Sequence, residues 1–326
     1  MKPLEDFLKP TQKELYARMR AQYKGRTRIC KNKYILVKGE APVMLVAHMD
    51  TVHHTPVKEI CRTKSGNILM SPQGIGGDDR CGVYALNVVY EQSAVKPWLL
   101  FTCDEEIGCV GASAFCSVYR KGTLPKELDD LKLIVEIDRK GKNDAVYYDC
   151  GNREFEDYIT SKGFKTAMGS VSDISYVAPE LGVAAVNLSS GYYEAHTLHE
   201  YINRNHLNAT IKAVTEIVAD SVKPDFPKYE YIEDQRFMGW GRWGIYSGEK
   251  EMAFLKKVPE EIREEYEALL DYYTIEELEY YRMEHGDKSI AMLFESEFGV
   301  SSRLSKEEPE DYGGGEPKVN EGGNCI

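Results

Sequence analysis

Three short segments of this 326-residue chain carry the residue types of a hydrolytic metal site: V-A-H-M-D at 46–50, G-G-D-D-R-C-G at 76–82 and D-E-E-I-G at 104–108. They offer an imidazole, a carboxylate able to bridge two cations and a pair of glutamates on a turn, which are the parts of a two-metal hydrolytic site. Asp138 in I-V-E-I-D-R and His196 in G-Y-Y-E-A-H-T complete a set of five candidate ligands: His48, Asp78, Glu106, Asp138 and His196.

His48 and Asp50 form an H-x-D pair. The imidazole can bind a metal while the carboxylate two residues on accepts the other ring N–H and fixes the tautomer. A surface loop after a strand would read the same way, and His53 and His54 nearby are taken as bystanders. Asp78 and Asp79 follow Gly74, Gly76 and Gly77, so the backbone can turn sharply and bring a carboxylate up to a cation. Two acids ahead of a helix also fit an N-cap that answers the helix dipole. Glu105 and Glu106 are the sharpest signal, because consecutive glutamates on a turn project differently: one can reach a metal and the other the attacking water, as general base. Phe101–Cys103 before them and Ile107-Gly108-Cys109 after them are poor surroundings for a merely solvated acidic patch.

An α/β scaffold is the natural carrier for these groups. Before Pro224, apolar runs alternate with amphipathic stretches, predicting strands near 43–47, 98–102, 132–137 and 183–188 and helices at 11–22, 80–92, 111–120, 153–162 and 206–221. The last helix is expected to take Asn205 as its cap and to bury Leu207, Ile211, Val214 and Val218. His48 follows the first strand, Asp104 to Glu106 follow the second and Asp138 ends the third, so one carboxyl edge of the sheet should collect them. One apolar strand ending in acid or histidine is ordinary capping; four or five such endings are harder to explain that way.

Composition narrows the partners. A net charge of -12 argues against nucleic acid or an anionic membrane, both of which call for clustered Lys and Arg. Residues 1–223 hold 29 Lys and Arg against 28 Asp and Glu, whereas residues 224–326 hold 12 against 25, so the chain changes character near Pro224. Eight cysteines without C-x-x-C spacing point to reduced thiols rather than to a zinc-thiolate site or disulfides. Apolar stretches too short to span a membrane, and a start M-K-P-L-E-D-F-L that lacks the order of a signal peptide, set the expectation of a cytoplasmic protein.

Together, His48-x-Asp50, Gly77-Asp78-Asp79, Glu105-Glu106-Ile107-Gly108, Asp138 and His196 resemble the co-catalytic zinc exopeptidase superfamily, which includes leucyl-type aminopeptidases, peptidase T and glutamate carboxypeptidases. The resemblance covers about residues 40–205. It implies an α/β fold with a mixed, mostly parallel central sheet flanked by helices, the zinc-exopeptidase phosphorylase/hydrolase-like arrangement. It further implies that Asp78 bridges two zinc ions, with His48 and Asp138 completing one and Glu106 and His196 the other. Glu105 becomes the general base, Asp50 orients His48, and the peptide between Asp78 and Asp79 is cis. In relatives the last ligand stands four residues ahead of a glutamate, a spacing met by His196 and Glu200, which leaves His199 to the pocket. Tyr192, Tyr193 and Asp173, the last in a Ser-Asp element like one in relatives, are the other pocket candidates; simple packing accounts equally well for the two tyrosines.

Asp138 and His196 are 58 residues apart and His48 and Asp78 are 30 apart, too close for the inserted lid or second domain of some branches. The expected organisation is a catalytic domain over 1–223 without a lid, an acidic, aromatic-rich helical extension over 224–304 and a disordered tail over 305–326. Trp240 and Trp243 suggest an aromatic turn, and 259–284 two acidic helices; self-association or a protein partner could use this extension. The expected activity is cleavage of peptide or aminoacyl amide bonds by an aminopeptidase using two divalent ions, Zn2+ by default and Mn2+ or Co2+ as alternatives. A metal-dependent carboxypeptidase or N-acyl amino acid deacylase is the second reading, and a non-catalytic binding protein on the same scaffold the third.

Overall fold

The computed structural model describes residues 2–169, 171–233, 258–270, 278, 282–283 and 286–298. The chain divides into two compact units, Met1–Ile245 and Tyr246–Ile326. No helix among the described residues is long and apolar enough to cross a membrane.

The first unit is built on an eight-stranded sheet. In chain order its strands are β1 (Thr27–Cys30), β2 (Tyr34–Val37), β3 (Val43–His48), β6 (Trp98–Thr102), β7 (Leu133–Arg139), β8 (Asp144–Val146), β9 (Lys165–Thr166) and β10 (Ala185–Ser189). They lie side by side as β1-β2-β6-β3-β7-β10-β8-β9. The central four, β6, β3, β7 and β10, are parallel, and antiparallel neighbours β2 and β8 flank them. Parallel strands buried on both faces need uninterrupted apolar sequence. Val43–His48 and Trp98–Thr102 are buried at every position, as is Leu133–Arg139 up to its last residue. Alternate side chains feed two cores: Val43, Leu45 and Ala47 join one, Met44 and Val46 the other.

Helices cover both faces: α1 (Glu5–Leu8), α2 (Gln12–Gln22), α3 (Gly77–Gln92), α4 (Val110–Arg120), α5 (Arg153–Ser161), α6 (Asp173–Leu181) and α7 (Arg204–Ser221). A capping box between Thr11 and Glu14 starts α2. The cap of α7 is Asn203 rather than the expected Asn205; its side chain accepts from the amides of Asn205 and His206. Leu207, Ile211, Val214 and Val218 are buried as their spacing predicts. A second, four-stranded sheet, ordered β11-β12-β5-β4, comprises β4 (Cys61–Arg62), β5 (Ile68–Met70), β11 (Tyr192–Tyr193) and β12 (Tyr201–Asn203). Strands this short carry too little periodicity to be read from sequence.

The charge break near Pro224 falls inside the first unit. Tyr229 is buried, its N–H donates to Lys132 and its carbonyl accepts from Ala184, and short bridges join Glu230 to Val183 and Glu233 to Cys150. In the second unit, Val258, Ile262, Tyr266, Leu269, Leu278 and Ile290 form a buried cluster with the helices Arg263–Leu269 and Asp287–Phe298. Trp240, Trp243 and the 305–326 tail lie outside the described residues.

Candidate metal centre

Strand order fixes who meets whom. Because β3 lies between β6 and β7, His48 at its end is flanked by the 104–106 turn on one side and by Asp138 on the other, all at the carboxyl edge of parallel strands. Above this edge stands the start of α3, where Asp78 and Asp79 have non-helical backbone angles and the peptide between them is cis. His196 arrives from the connection between β11 and β12, with φ at +64°.

The side chains converge. His48 Nε2 lies 3.2 Å from Asp78 Oδ1, 3.5 Å from Asp138 Oδ1 and 3.9 Å from Glu105 Oε2. His196 Nε2 lies 3.3 Å from the other Asp78 oxygen, Oδ2, and 3.1 Å from Glu106 Oε2. Asp78 thus turns one oxygen toward each histidine, and each histidine has a second acid beside it. The structure brings together all five candidate ligands and Glu105.

No protein-family model matches the chain, and neither does any curated protein. Solved structures do. Aminopeptidase PepT from Bacillus cereus matches with a TM-score of 0.50 at 14% identity, over 68% of this chain and 97% of that one. A tripeptidase from Staphylococcus aureus gives 0.50 at 14% over 67% and 96%, and a TET aminopeptidase from a marine-sediment thaumarchaeon 0.50 at 11% over 67% and 97%. The chain has the zinc-exopeptidase fold. At such low identity the likeness concerns architecture alone, so the chemistry must be argued from the residues present.

Those residues suit divalent cations. Ligand-capable atoms of His48, Asp78 and Glu106 lie within 4.8 Å of one another, as do those of His48, Asp79 and Asp138. Glu106 Oε1 and Asp79 Oδ2 are buried without a hydrogen-bond partner among the described residues. Imidazole with carboxylate is a donor set for zinc, and one this rich in oxygen also accepts manganese. The protonation balance points the same way. Burial, reinforced by neighbouring acids, raises Glu105 to about 9 against the pull of His48, and burial with Asp78 nearby raises Asp138 to about 7. Burial opposes charge on His48, but Asp138 and Asp50 outweigh it and raise its pKa. Hydrogen bonds to Asp78 and Glu106 raise His196 to about 11. Crowded carboxylates hold protons in place of a stronger counter-charge.

A ring of buried groups orients the set. Asp50 Oδ1 lies 3.2 Å from His48 Nδ1, and its Oδ2 accepts the Glu106 amide at 3.0 Å, so this acid holds two segments at once. Burial resists its charge, yet His48 keeps its pKa below the ordinary range. Ser172 donates to Asp138 Oδ2 at 3.1 Å, Asn187 Oδ1 accepts the Asp138 amide at 2.9 Å, and the Tyr192 hydroxyl donates to the Asp138 carbonyl at 3.1 Å. Gln12 grips Asp104 twice, donating from Nε2 to Oδ1 at 2.8 Å and accepting the Asp104 amide at 3.1 Å. Asp104, with φ at +60°, starts the turn that carries the two glutamates.

The remaining pocket candidates divide. Tyr192 is buried, with its hydroxyl on the Asp138 carbonyl. Tyr193 packs, stacking on Tyr201 at 4.9 Å and meeting His206 Nδ1 at 2.6 Å. Asp173 is fully buried and accepts from Thr102 Oγ1, so it braces the floor. His199 is exposed near His196. Asp79 Oδ1 accepts the Gly82 amide at 2.9 Å, so this acid caps the helix through one oxygen, while its other oxygen stays without a hydrogen bond among the described residues, beside His48 and Asp138. Sequence reasoning missed Gln12, Ser172, Asn187 and Glu200 as supports and set His53 aside as a bystander; His53 Nε2 in fact bonds Glu200 Oε2 at 2.8 Å. For Glu200 the signal was present in its spacing from His196. Gln12 is 92 residues from its partner and gave none.

Proposed function

We propose that the protein is a metal-dependent aminopeptidase. The observation that carries this reading is Asp78, with one carboxylate oxygen toward His48 and the other toward His196. His48 and Asp138 would hold one divalent ion, Glu106 and His196 a second, and Asp78 both. Divalent ions held there would supply Lewis acidity toward the scissile carbonyl and would acidify the attacking water.

The chain's own residues do the rest. Glu105 is held at Oε1 by the Cys109 thiol at 3.6 Å, while Oε2 faces His48 at 3.9 Å. Glu105 takes the proton of the attacking water at Oε2 and returns it to the leaving amine. Asp50 keeps the His48 Nδ1–H engaged, so that Nε2 faces inward.

The charges around the site favour an amine over a carboxylate at the substrate terminus. Among the described residues, the cations paired with Asp78, Glu105, Glu106 and Asp138 are His48 and His196. The nearby guanidiniums of Arg80 and Arg139 donate to backbone carbonyls, Arg80 to Phe7 and Pro10 and Arg139 to Met168. A carboxypeptidase needs a cation facing its substrate's carboxylate.

The test is a panel of aminoacyl anilides and small peptides with free or acetylated amines, assayed with zinc, manganese or cobalt and after chelation. Metal-dependent cleavage confined to free amines is expected. Preference for blocked amines would turn the reading toward a carboxypeptidase or deacylase; metal uptake without cleavage of any substrate would turn it toward a binding protein.

A further inference from the structure

The reaction outlined above uses neither His53 nor Glu200, yet both are packed against the site, with side chains 8% and 1% exposed. Glu200 follows His196 by four residues and leads into β12. Its Oε2 lies 2.8 Å from His53 Nε2 and accepts the Gly76 amide at 2.8 Å, while its Oε1 accepts the amide of Asp78 at 2.9 Å. His53 belongs to the loop that leaves His48. One carboxylate therefore ties together the segments 48–53, 74–78 and 196–200, each of which carries a proposed ligand.

The fit is close. Gly74 has φ at +79°, and a Cβ there would stand 2.2 Å from His53 Nδ1, so a glycine leaves the imidazole its place. At Gly77 an added Cβ would stand 3.2 Å from Glu200 Oε1. A buried carboxylate is costly unless fully engaged, and this one is engaged by one imidazole and two amides. One of those amides is that of Asp78, and holding it limits how the Asp78 side chain can be presented.

We propose that His53 and Glu200 are positioning residues of the metal centre: Glu200 fixes the Asp78 amide so that the two Asp78 oxygens face His48 and His196 together, and His53 holds Glu200 in that orientation. The inference rests on Asp78 bridging two ions as proposed above. Neither residue touches substrate; both act through Asp78 and the His196 segment.

The experiment compares His53→Ala, His53→Gln and Gly74→Ala in the full chain, with cobalt(II) titration followed by visible spectrum, kcat and KM on an aminoacyl anilide, and the thermal unfolding midpoint. The amide nitrogen of glutamine can stand where imidazole Nε2 stands. His53→Ala should weaken cobalt binding about 10–100-fold, alter the spectrum of the bound ion and lower kcat at unchanged KM. His53→Gln should return each to within about threefold of the parent, and Gly74→Ala, which pushes on the same ring, should reproduce the alanine variant. The proposal is overturned if His53→Ala binds cobalt and turns over like the parent, if glutamine does no better than alanine, or if the midpoint falls while cobalt affinity and spectrum stay put. Failure of the parent protein to take up cobalt would instead remove the metallopeptidase reading itself, and this inference with it.

Discussion

Glu105 and Glu106 are adjacent in sequence but held by different partners. Glu106 is fixed through its amide to Asp50 and lies 3.1 Å from His196, whereas Glu105 is anchored at one oxygen by the Cys109 thiol. Glu105→Gln keeps the size and the thiol contact while removing the proton acceptor. It is expected to lower kcat about 10²–10⁴-fold with the metal content unchanged by elemental analysis. Turnover within tenfold of the parent would exclude Glu105 as the base. A second expectation concerns protons. At pH 6.5 Glu105, raised to about 9, keeps a proton in the metal-free protein, and Asp138, raised to about 7, keeps one in part. Metal binding must displace them, so calorimetric titrations with zinc in two buffers of different ionisation enthalpy should give different heats; equal heats would contradict it. The same shifts bear on stability. Groups whose pKa is raised by folding stabilise fully below their unfolded values and lose that contribution as pH rises through the folded ones. The metal-free protein should accordingly lose stability between about pH 4 and 9.

At the scale of elements, the site depends on α3 lying close against β7. A Cβ on Gly82 would stand 2.1 Å from the Ile137 carbonyl oxygen and 2.3 Å from Asp79 Oδ2, and a backbone carbonyl in a central strand has nowhere to go. Gly82→Ala is expected to cost about 3 kcal/mol in urea unfolding and to weaken metal binding by displacing the cap beside Asp78. A cost below about 1 kcal/mol would show that the helix can slide. The same elements show what was legible. Fully buried parallel strands write themselves as apolar runs, so β3, β6 and β7 could be read closely, and the acids at their ends with them. The helix of Asp173–Leu181 went unread, since Pro179 interrupts it. The hairpin Thr27–Val37 and the small sheet carrying His196 also went unread, because strands of two to four residues are set by tertiary pairing rather than by their own pattern. The candidate ligands could be picked out from type and order; the groups that orient them, such as Gln12 on Asp104, depend on contacts that only the fold creates.

Across the whole molecule, charge and packing divide the chain at different places. Acidity sets in at residue 224, yet 224–233 belongs to the core of the first unit: Tyr229 packs on Phe155 and Tyr158 at 5.1 and 5.7 Å, Gly151 donates to Ile232, Tyr231 to Gly182, and Lys132 Nζ to Phe226. Every residue assigned to the metal centre lies within Met1–Ile245. A chain ending at Ile245 should therefore keep its metal affinity, whereas one ending at Lys223 loses a buried aromatic cluster and a line of backbone hydrogen bonds along Lys132, Gly182 and Ala184. Removal of one large aromatic from a core costs about 3–5 kcal/mol, so the shorter chain should unfold at markedly lower urea. Because those bonds flank the start of β7 and the approach to β10, its cobalt affinity should fall with its stability. Equal unfolding midpoints for the two truncations would place the edge of the catalytic unit at 223, and loss of metal binding in the longer one would bring the acidic segment into the site.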